Sequence, residues 1–246
     1  MSRIPVCQIC IDSLTPAEGQ SCAICGEAID FIAPEQDSRC GPCRRLPPRF
    51  DFALSYSGYD GTLRALVHLL KYERLRPVAG ILGAKLADSI AERKLEGREP
   101  VLVIPMPLYR SKQRQRGFNQ SELIARSALR QLPDSRFELH GGNLARVRPT
   151  ASQTGLTRHQ RRENVRGAFR VMQPDRLRGR SVMIVDDVYT TGTTLNECAR
   201  VVRAAGAKQV VVATVARVYR PSAEMVFRGV LPQEENAAAV STAVAG

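Results

Sequence analysis

The 246 residues can hold one α/β domain with a small module beside it. They carry 36 Lys and Arg against 24 Asp and Glu, a formal net charge of +12. No run approaches the roughly 18 apolar residues of a membrane-crossing helix. The start, Met1 to Cys7, lacks the apolar stretch of a secretory signal. A cytoplasmic protein is therefore expected, at most peripheral at the inner face of the membrane. Between Arg110 and Arg170, 14 Lys and Arg stand against 4 Asp and Glu, so most of the net charge lies there. So concentrated a basic block suits a polyanion, either pyrophosphate or nucleic acid.

Residues 1–48 are punctuated by cysteine, proline and glycine and form a candidate module. Cys22 and Cys25 make one C-x-x-C pair, Cys40 and Cys43 another, fourteen residues apart. Two such knuckles describe a Cys₄ zinc ribbon, closed to substrate and therefore structural. Cys7 and Cys10 form a third pair without an evident partner pair. They could replace one knuckle, hold a second metal weakly, or stay reduced. Cys198 lies in a later helix, where a small buried core residue is expected.

Pro47-Pro48 marks a linker, and a second unit is expected over 49–220. Phe52, Leu54 and Tyr56 alternate as in a strand. Leu63, Leu66, Val67 and Leu70 share a helical face that ends near Lys71-Tyr72. A second helix is expected from Pro77 to about Leu95. Val101 to Ile104 reads as a buried strand stopped by Pro105-Met106-Pro107, and Asn119 to Leu132 as a helix. Phe137 to Val147 reads as a strand pair or an extended segment. Thr157 to Gln160 reads as a capping box on a short basic helix. Val182 to Val185 and Val210 to Val215 read as buried strands with a helix between them. Alternating strands and helices imply a parallel sheet, with ligands at the strands' carboxyl ends. The tail, 221–246, is expected to be disordered, and its stretch from Gln233 to Gly246 is Ala-rich.

The chemistry concentrates after Val185. Asp186 and Asp187 are followed by Thr190, Thr191, Gly192, Thr193 and Thr194, then by a helix starting near Thr194. A helix start offers N–H groups without intrahelical partners and a partial positive charge, which suit phosphate. Gly192 allows close backbone approach, and the threonines add hydroxyl donors. The two acids would repel a bare phosphate. They fit a ligand that also carries sugar hydroxyls or a hard cation such as Mg²⁺. A ribose 5-phosphate meets both demands. A strand–turn–helix unit needs one capping residue, and two acids with four threonines exceed that.

This run resembles the 5-phosphoribosyl-1-pyrophosphate (PRPP) loop of type I phosphoribosyltransferases. Tyr189 is bulkier than the aliphatic residue common there. Zinc knuckles ahead of such a domain resemble the ComF/GntX family. So do Leu70-Lys71-Tyr72, Pro105-Met106-Pro107-Leu108 and Arg116-Gly117-Phe118-Asn119-Gln120. Arg146-Val147-Arg148-Pro149-Thr150 through Gln153, and Arg162 to Phe169, complete the likeness. Many family members carry four C-x-x-C pairs, and here the second is missing, which leaves Cys7 and Cys10 without a full set.

The resemblance implies a type I phosphoribosyltransferase fold, a mostly parallel central sheet flanked by helices with a small N-terminal zinc ribbon. It implies Zn and Mg as cofactors and PRPP as ligand. It also implies a role with single-stranded DNA in natural competence or DNA utilisation, with a competence helicase as a further partner. In the expected pentosyl transfer to an unknown acceptor, Asp186 and Asp187 hold the ribose hydroxyls and stabilise positive charge. Lys71, Met106 and Arg116 are then expected to bind pyrophosphate. Arg146 to Arg166 is expected to close over the ligand. The alternative is a non-catalytic protein that senses PRPP or a nucleotide and binds DNA and a helicase. With no Trp, DNA binding would rest on backbone electrostatics. His68, His140 and His159 are isolated and receive no role.

Overall fold

The computed structural model describes residues 6–29, 38–93, 99–132, 136–151 and 155–220. The tail and Gln153 lie outside the described residues. Five strands form one sheet in the order β1-β7-β6-β2-β3, and every neighbouring pair is parallel. They are β1 (Phe52–Gly58), β2 (Val101–Pro105), β3 (Phe137–Leu139), β6 (Ser181–Tyr189) and β7 (Gln209–Arg217). A separate antiparallel pair joins β4 (Leu144–Arg146) to β5 (Phe169–Val171).

Strand alternation divides the core into two layers. Val101, Val103, Met183, Val185, Val211 and Ala213 face one way. Above them lie α3 (Gly61–Lys71), α4 (Val78–Glu92) and α6 (Gln120–Leu129). Leu63, Leu66, Val67 and Leu70 form the buried stripe of α3. Helices α4 and α6 pack closely because Gly83 has no side chain: a Cβ there would fall 2.5 Å from the Ser127 Cβ. Leu102, Ile104, Val182, Ile184, Val210 and Val212 face the other way. They meet α8 (Thr193–Ala204), the β4–β5 hairpin and the cysteine segment.

The cysteine segment carries two short helices, α1 (Gln8–Asp12) and α2 (Gly41–Arg45). Its four paired cysteines share an apolar cluster with Phe50, Tyr189 and Leu195. The Ala53 N–H donates to the Ile24 carbonyl at 2.7 Å, tying the segment to β1.

Three expectations are refined. The Phe137–Val147 stretch yields two strands that do not pair with each other, because Gly141-Gly142 turns the chain away between them. β3 joins the main sheet and β4 the hairpin. The basic block holds three helices: besides the expected α6 and a short α7 (Arg158–Val165), it includes α5 (Arg110–Arg116). β6 runs past Val185 to Tyr189, because β7 continues beside it as far as Arg217. Asp186 and Asp187 thus sit on the strand, and the loop begins at Thr190.

From β2 the chain crosses to β3 by way of α6. From β6 it crosses in the opposite direction to β7 by way of α8, on the opposite face. β2 and β6 are therefore neighbours whose crossovers diverge. The carboxyl ends of such a pair open into a crevice, the ligand position of open parallel sheets.

Candidate functional site

The crevice is built where β2 and β6 end. Pro105 is in register with Val185, and the Met106 N–H donates to the Val185 carbonyl at 2.7 Å. The Asn119 side chain caps α6 through the Ser121 N–H and donates to the Met106 carbonyl at 3.0 Å. Both backbone groups of Met106 are thereby engaged. Its side chain is buried and accepts from the Cys198 thiol at 3.5 Å. Cys198 is fully buried, as expected of a core residue.

The acids are distinct in environment. Asp187 is buried, and its carboxylate is ion-paired with Lys71, the last residue of α3. Burial pushes the Asp187 carboxyl up, but the Lys71 ammonium outweighs it and the pKa is lowered. The same pairing outweighs desolvation of Lys71 and raises its pKa. Asp186 is half-buried. It accepts from Ser121 Oγ and from the Asp187 N–H, each at 2.9 Å. Burial, then the neighbouring Asp187 charge, lifts its pKa to about 8.

The loop beyond begins at Thr190 and feeds α8. Gly192 is the residue before the helix, left-handed at φ 71°, and it brings no capping side chain. The Asn196 N–H donates to the Gly192 carbonyl at 2.8 Å and starts the helix ladder. The Thr191 and Thr193 hydroxyls lie 2.9 Å apart. A twelve-residue helix thus starts beside the acids, with hydroxyls around its first turn.

Cations complete the crevice. Lys112 is held below its usual pKa by burial and by the charges of Arg146, Arg116 and Lys71. Arg116, expected from the sequence, donates to the Gln120 side chain. Arg146 is desolvated, feels the Asp186 carboxyl, and lies over Phe169 with its guanidinium carbon 5.5 Å from the ring centroid. It donates to the Thr150 hydroxyl, and its Nε is buried without a hydrogen-bond partner among the described residues. Four cations around two acids form a place for a polyanion.

The segment after Arg146 is fastened to α7 and α8. Ala151 and Asn164 exchange two hydrogen bonds, at 3.0 and 2.9 Å. Arg148 donates to the Arg166 carbonyl at 2.6 Å, and the Gly167 N–H donates to Glu197 at 2.9 Å. Sequence reasoning named Asp186, Asp187, Lys71, Met106, Arg116 and the threonine loop, and these residues meet at one crevice. It did not single out Ser121 or Lys112, which lie beside them, and it took Arg146 only as the start of a segment that closes over the ligand. Ser121 directly follows the Asn119-Gln120 motif, and Arg146 opens the R-x-R-x-T motif, so adjacency was the signal.

A family model described as phosphoribosyl transferase domain matches residues 119–237. The DNA utilization protein YhgH of Salmonella typhimurium is 31% identical over 226 residues, covering 85% of this chain and 96% of the relative. Competence protein F of Haemophilus influenzae is 31% identical over 201 residues, covering 80% and 84%. Competence protein ComFC of Bacillus subtilis is 24% identical over 202 residues, covering 79% and 76%. The chain belongs to the ComF/GntX family. Its sheet, crevice and loop constitute a type I phosphoribosyltransferase fold.

The four-cysteine cluster of this ComF-family chain packs in the apolar layer that holds Tyr189 and Leu195. Cys22, Cys25, Cys40 and Cys43 are all buried, with sulfurs within 4.8 Å of one another. Cys25 and Cys40 Sγ are 3.6 Å apart, close to the roughly 3.8 Å edge of a tetrahedron with 2.3 Å Zn–S bonds. The Cys40 N–H donates to Cys22 Sγ at 3.2 Å. A hydrogen bond from Cys43, with Arg217 nearby, lowers the Cys25 pKa to about 5 against the effect of burial. The set could hold a metal such as zinc. Cys7 and Cys10 stand apart from it at the surface, their sulfurs 3.3 Å from each other. No helix among the described residues is long and apolar enough to cross a membrane.

Proposed function

We propose that the crevice binds PRPP with Mg²⁺, and that the protein serves the uptake or processing of single-stranded DNA. One observation carries the ligand assignment. Two carboxylates at the end of a central strand lead into an uncapped, glycine-started helix ringed by threonines, at the point where the crossovers diverge. The names of the relatives, DNA utilization and competence proteins, support the biological role.

Residue roles follow from charge and position. The 5-phosphate sits on Thr190, Thr191, Gly192, Thr193 and Thr194, at the positive end of α8. Asp186 takes the ribose hydroxyls, because Lys71 already occupies Asp187. Arg116, Lys112 and Arg146 receive the pyrophosphate beside the Met106 strand end. In a transfer reaction a nitrogen nucleophile bonds to C1. The C1–oxygen bond breaks, and its electron pair leaves with pyrophosphate. Asp186, as a carboxylate, opposes the positive charge that builds on the ribose. A divalent cation bound with the ligand would neutralise leaving-group charge. Zinc in the Cys22, Cys25, Cys40 and Cys43 set would be structural.

The basic helices α5 and α7 supply a surface for the phosphates of single-stranded DNA, and a competence helicase is the expected protein partner. Binding of this kind weakens steeply with salt. An affinity unchanged between low and high salt contradicts it.

Millimolar PRPP with Mg²⁺ should raise the thermal midpoint of the wild type. Asp186→Asn combined with Asp187→Asn should remove the rise. No rise in the wild type sinks the ligand assignment. The Lys71–Asp187 pair leaves a single carboxylate for charge stabilisation, which favours binding without turnover as the second reading. Pyrophosphate release over a panel of bases and nucleosides separates the two.

A further inference from the structure

Arg217 is the largest fully buried side chain among the described residues, at 1% exposure. It ends β7, opposite Tyr189 of β6. Its guanidinium donates to the Cys25 carbonyl and reaches Cys25 Sγ at 3.7 Å. It also donates to Glu27 Oε2 at 2.7 Å, and the other Glu27 oxygen accepts from the Arg220 N–H at 2.9 Å. The carbon of the same guanidinium lies over the Tyr189 ring, 4.2 Å from its centroid. The Phe50 ring, from the linker, stands perpendicular to that ring with centroids 6.4 Å apart.

Tyr189 is the last residue before the threonine loop. Its hydroxyl lies so near Gly192 that a Cβ added there would overlap it. Gly192 is the left-handed residue that starts α8. A line of direct contacts therefore runs from Cys25, through Arg217 and Tyr189, to the start of the phosphate-binding helix. Arg217 is desolvated and held by a carboxylate and a carbonyl, Tyr189 is clamped on two sides, and Gly192 has no room to move toward the ring.

We propose that Arg217 is a positioning residue that couples metal occupancy of the four-cysteine site to the geometry of the phosphate loop. With metal bound, the Cys22–Cys25 knuckle is fixed, and the Cys25 carbonyl and sulfur fix the guanidinium, as outer partners of metal ligands do. The guanidinium fixes the Tyr189 ring, and the ring sets the Gly192 end of the loop. Without metal, the knuckle relaxes and the loop loses one wall. The metal-loaded protein then holds a phosphoribosyl ligand more tightly than the metal-free protein. By linkage, the ligand tightens metal binding by the same factor, and a loop held by ligand is expected to slow metal release. The inference rests on the PRPP reading of the loop.

The test follows zinc transfer from the folded, zinc-loaded full chain to a chromogenic chelator, with and without PRPP and Mg²⁺. Ligand affinity is measured in parallel on the loaded protein by calorimetry. The expected result is release slowed about fivefold by saturating ligand. Tyr189→Leu keeps both sites but breaks the line, so release becomes independent of ligand while one zinc is retained. Arg217→Lys shortens the reach to the ring and gives the same loss. Ligand that binds the loaded wild type without altering release overturns the coupling and leaves the PRPP reading intact. Equal slowing in wild type and Tyr189→Leu overturns the route through Tyr189. Ligand that fails to bind the loaded wild type overturns both the reading and the inference.

Discussion

Lys71 and Asp187 form an ion pair that joins the last turn of α3 to the end of β6, with side-chain exposures of 20% and 6%. The pair is neither a surface bridge nor a free acid site. It fixes α3 over the sheet and removes one of two adjacent carboxylates from competition for a cation. Breaking such a pair from one side leaves a buried charge without compensation. Lys71→Met should therefore destabilise the protein by about 3 kcal/mol. Adding Asp187→Asn should recover much of the loss. Urea denaturation of both variants measures this, and equal stability of the single variant and the wild type would contradict it.

Asp186 carries a pH dependence of known sign. Its folded pKa is raised to about 8, above the ordinary carboxyl value near 4. The folded state thus holds a proton that the unfolded state releases. The stabilisation is full below the unfolded pKa and is lost as pH rises toward about 8. The Asp187 pKa is lowered, so its contribution is lost only in acid. Between pH 5 and 8, wild-type stability should fall with pH, and Asp186→Asn should flatten the slope. A ligand or cation that needs the Asp186 carboxylate should release about one proton near pH 7. Calorimetry in buffers of different ionisation enthalpy reads that proton directly.

Much of this site was legible because its chemistry is local in the chain. Asp186 through Thr194 carry strand end, acids, glycine and helix start in nine consecutive positions. The α3 stripe from Leu63 to Leu70 and the Val101 to Ile104 strand were likewise plain from periodicity. Pairings that join distant segments were not. Nothing near Lys71 indicates that it meets Asp187, 116 positions on, rather than a phosphate. The reach of β6 to Tyr189 depends on β7 beside it. The basic block looked irregular because Gly, Pro and Thr interrupt it, and the structure divides it among α5, α6 and α7 with short strands between them. Arg217 gave no signal at all, since a strand-end arginine ordinarily reads as surface.

Gly192 is constrained twice. Its φ of 71° disfavours any residue with a Cβ, and the added atom would overlap the Tyr189 hydroxyl. Gly192→Ala should cost about 1–2 kcal/mol from the backbone alone, with a further penalty from the clash. Shortening the clashing side chain in Gly192→Ala plus Tyr189→Leu should return part of the loss, leaving the backbone cost. The stability of the double variant against the two singles isolates the contact. Additive effects of the two changes would show that the ring and the loop do not press on each other.

The cysteine sets differ in what they can hold. The buried quartet presents four converging sulfurs, whereas Cys7 and Cys10 present two at the surface with no third ligand among the described residues. Reduced full-length protein should therefore carry one zinc per chain. Cys7→Ser with Cys10→Ser should leave that count and the thermal midpoint unchanged. Cys43→Ser should remove the metal and lower the midpoint, because metal-binding free energy at such a site is folding free energy. The quartet also shares its apolar cluster with Phe50, Tyr189 and Leu195, so the loss should spread into the sheet. Elemental analysis with thermal melts on the three proteins decides it. A count above one that falls with the Cys7 and Cys10 changes would assign those residues a metal of their own.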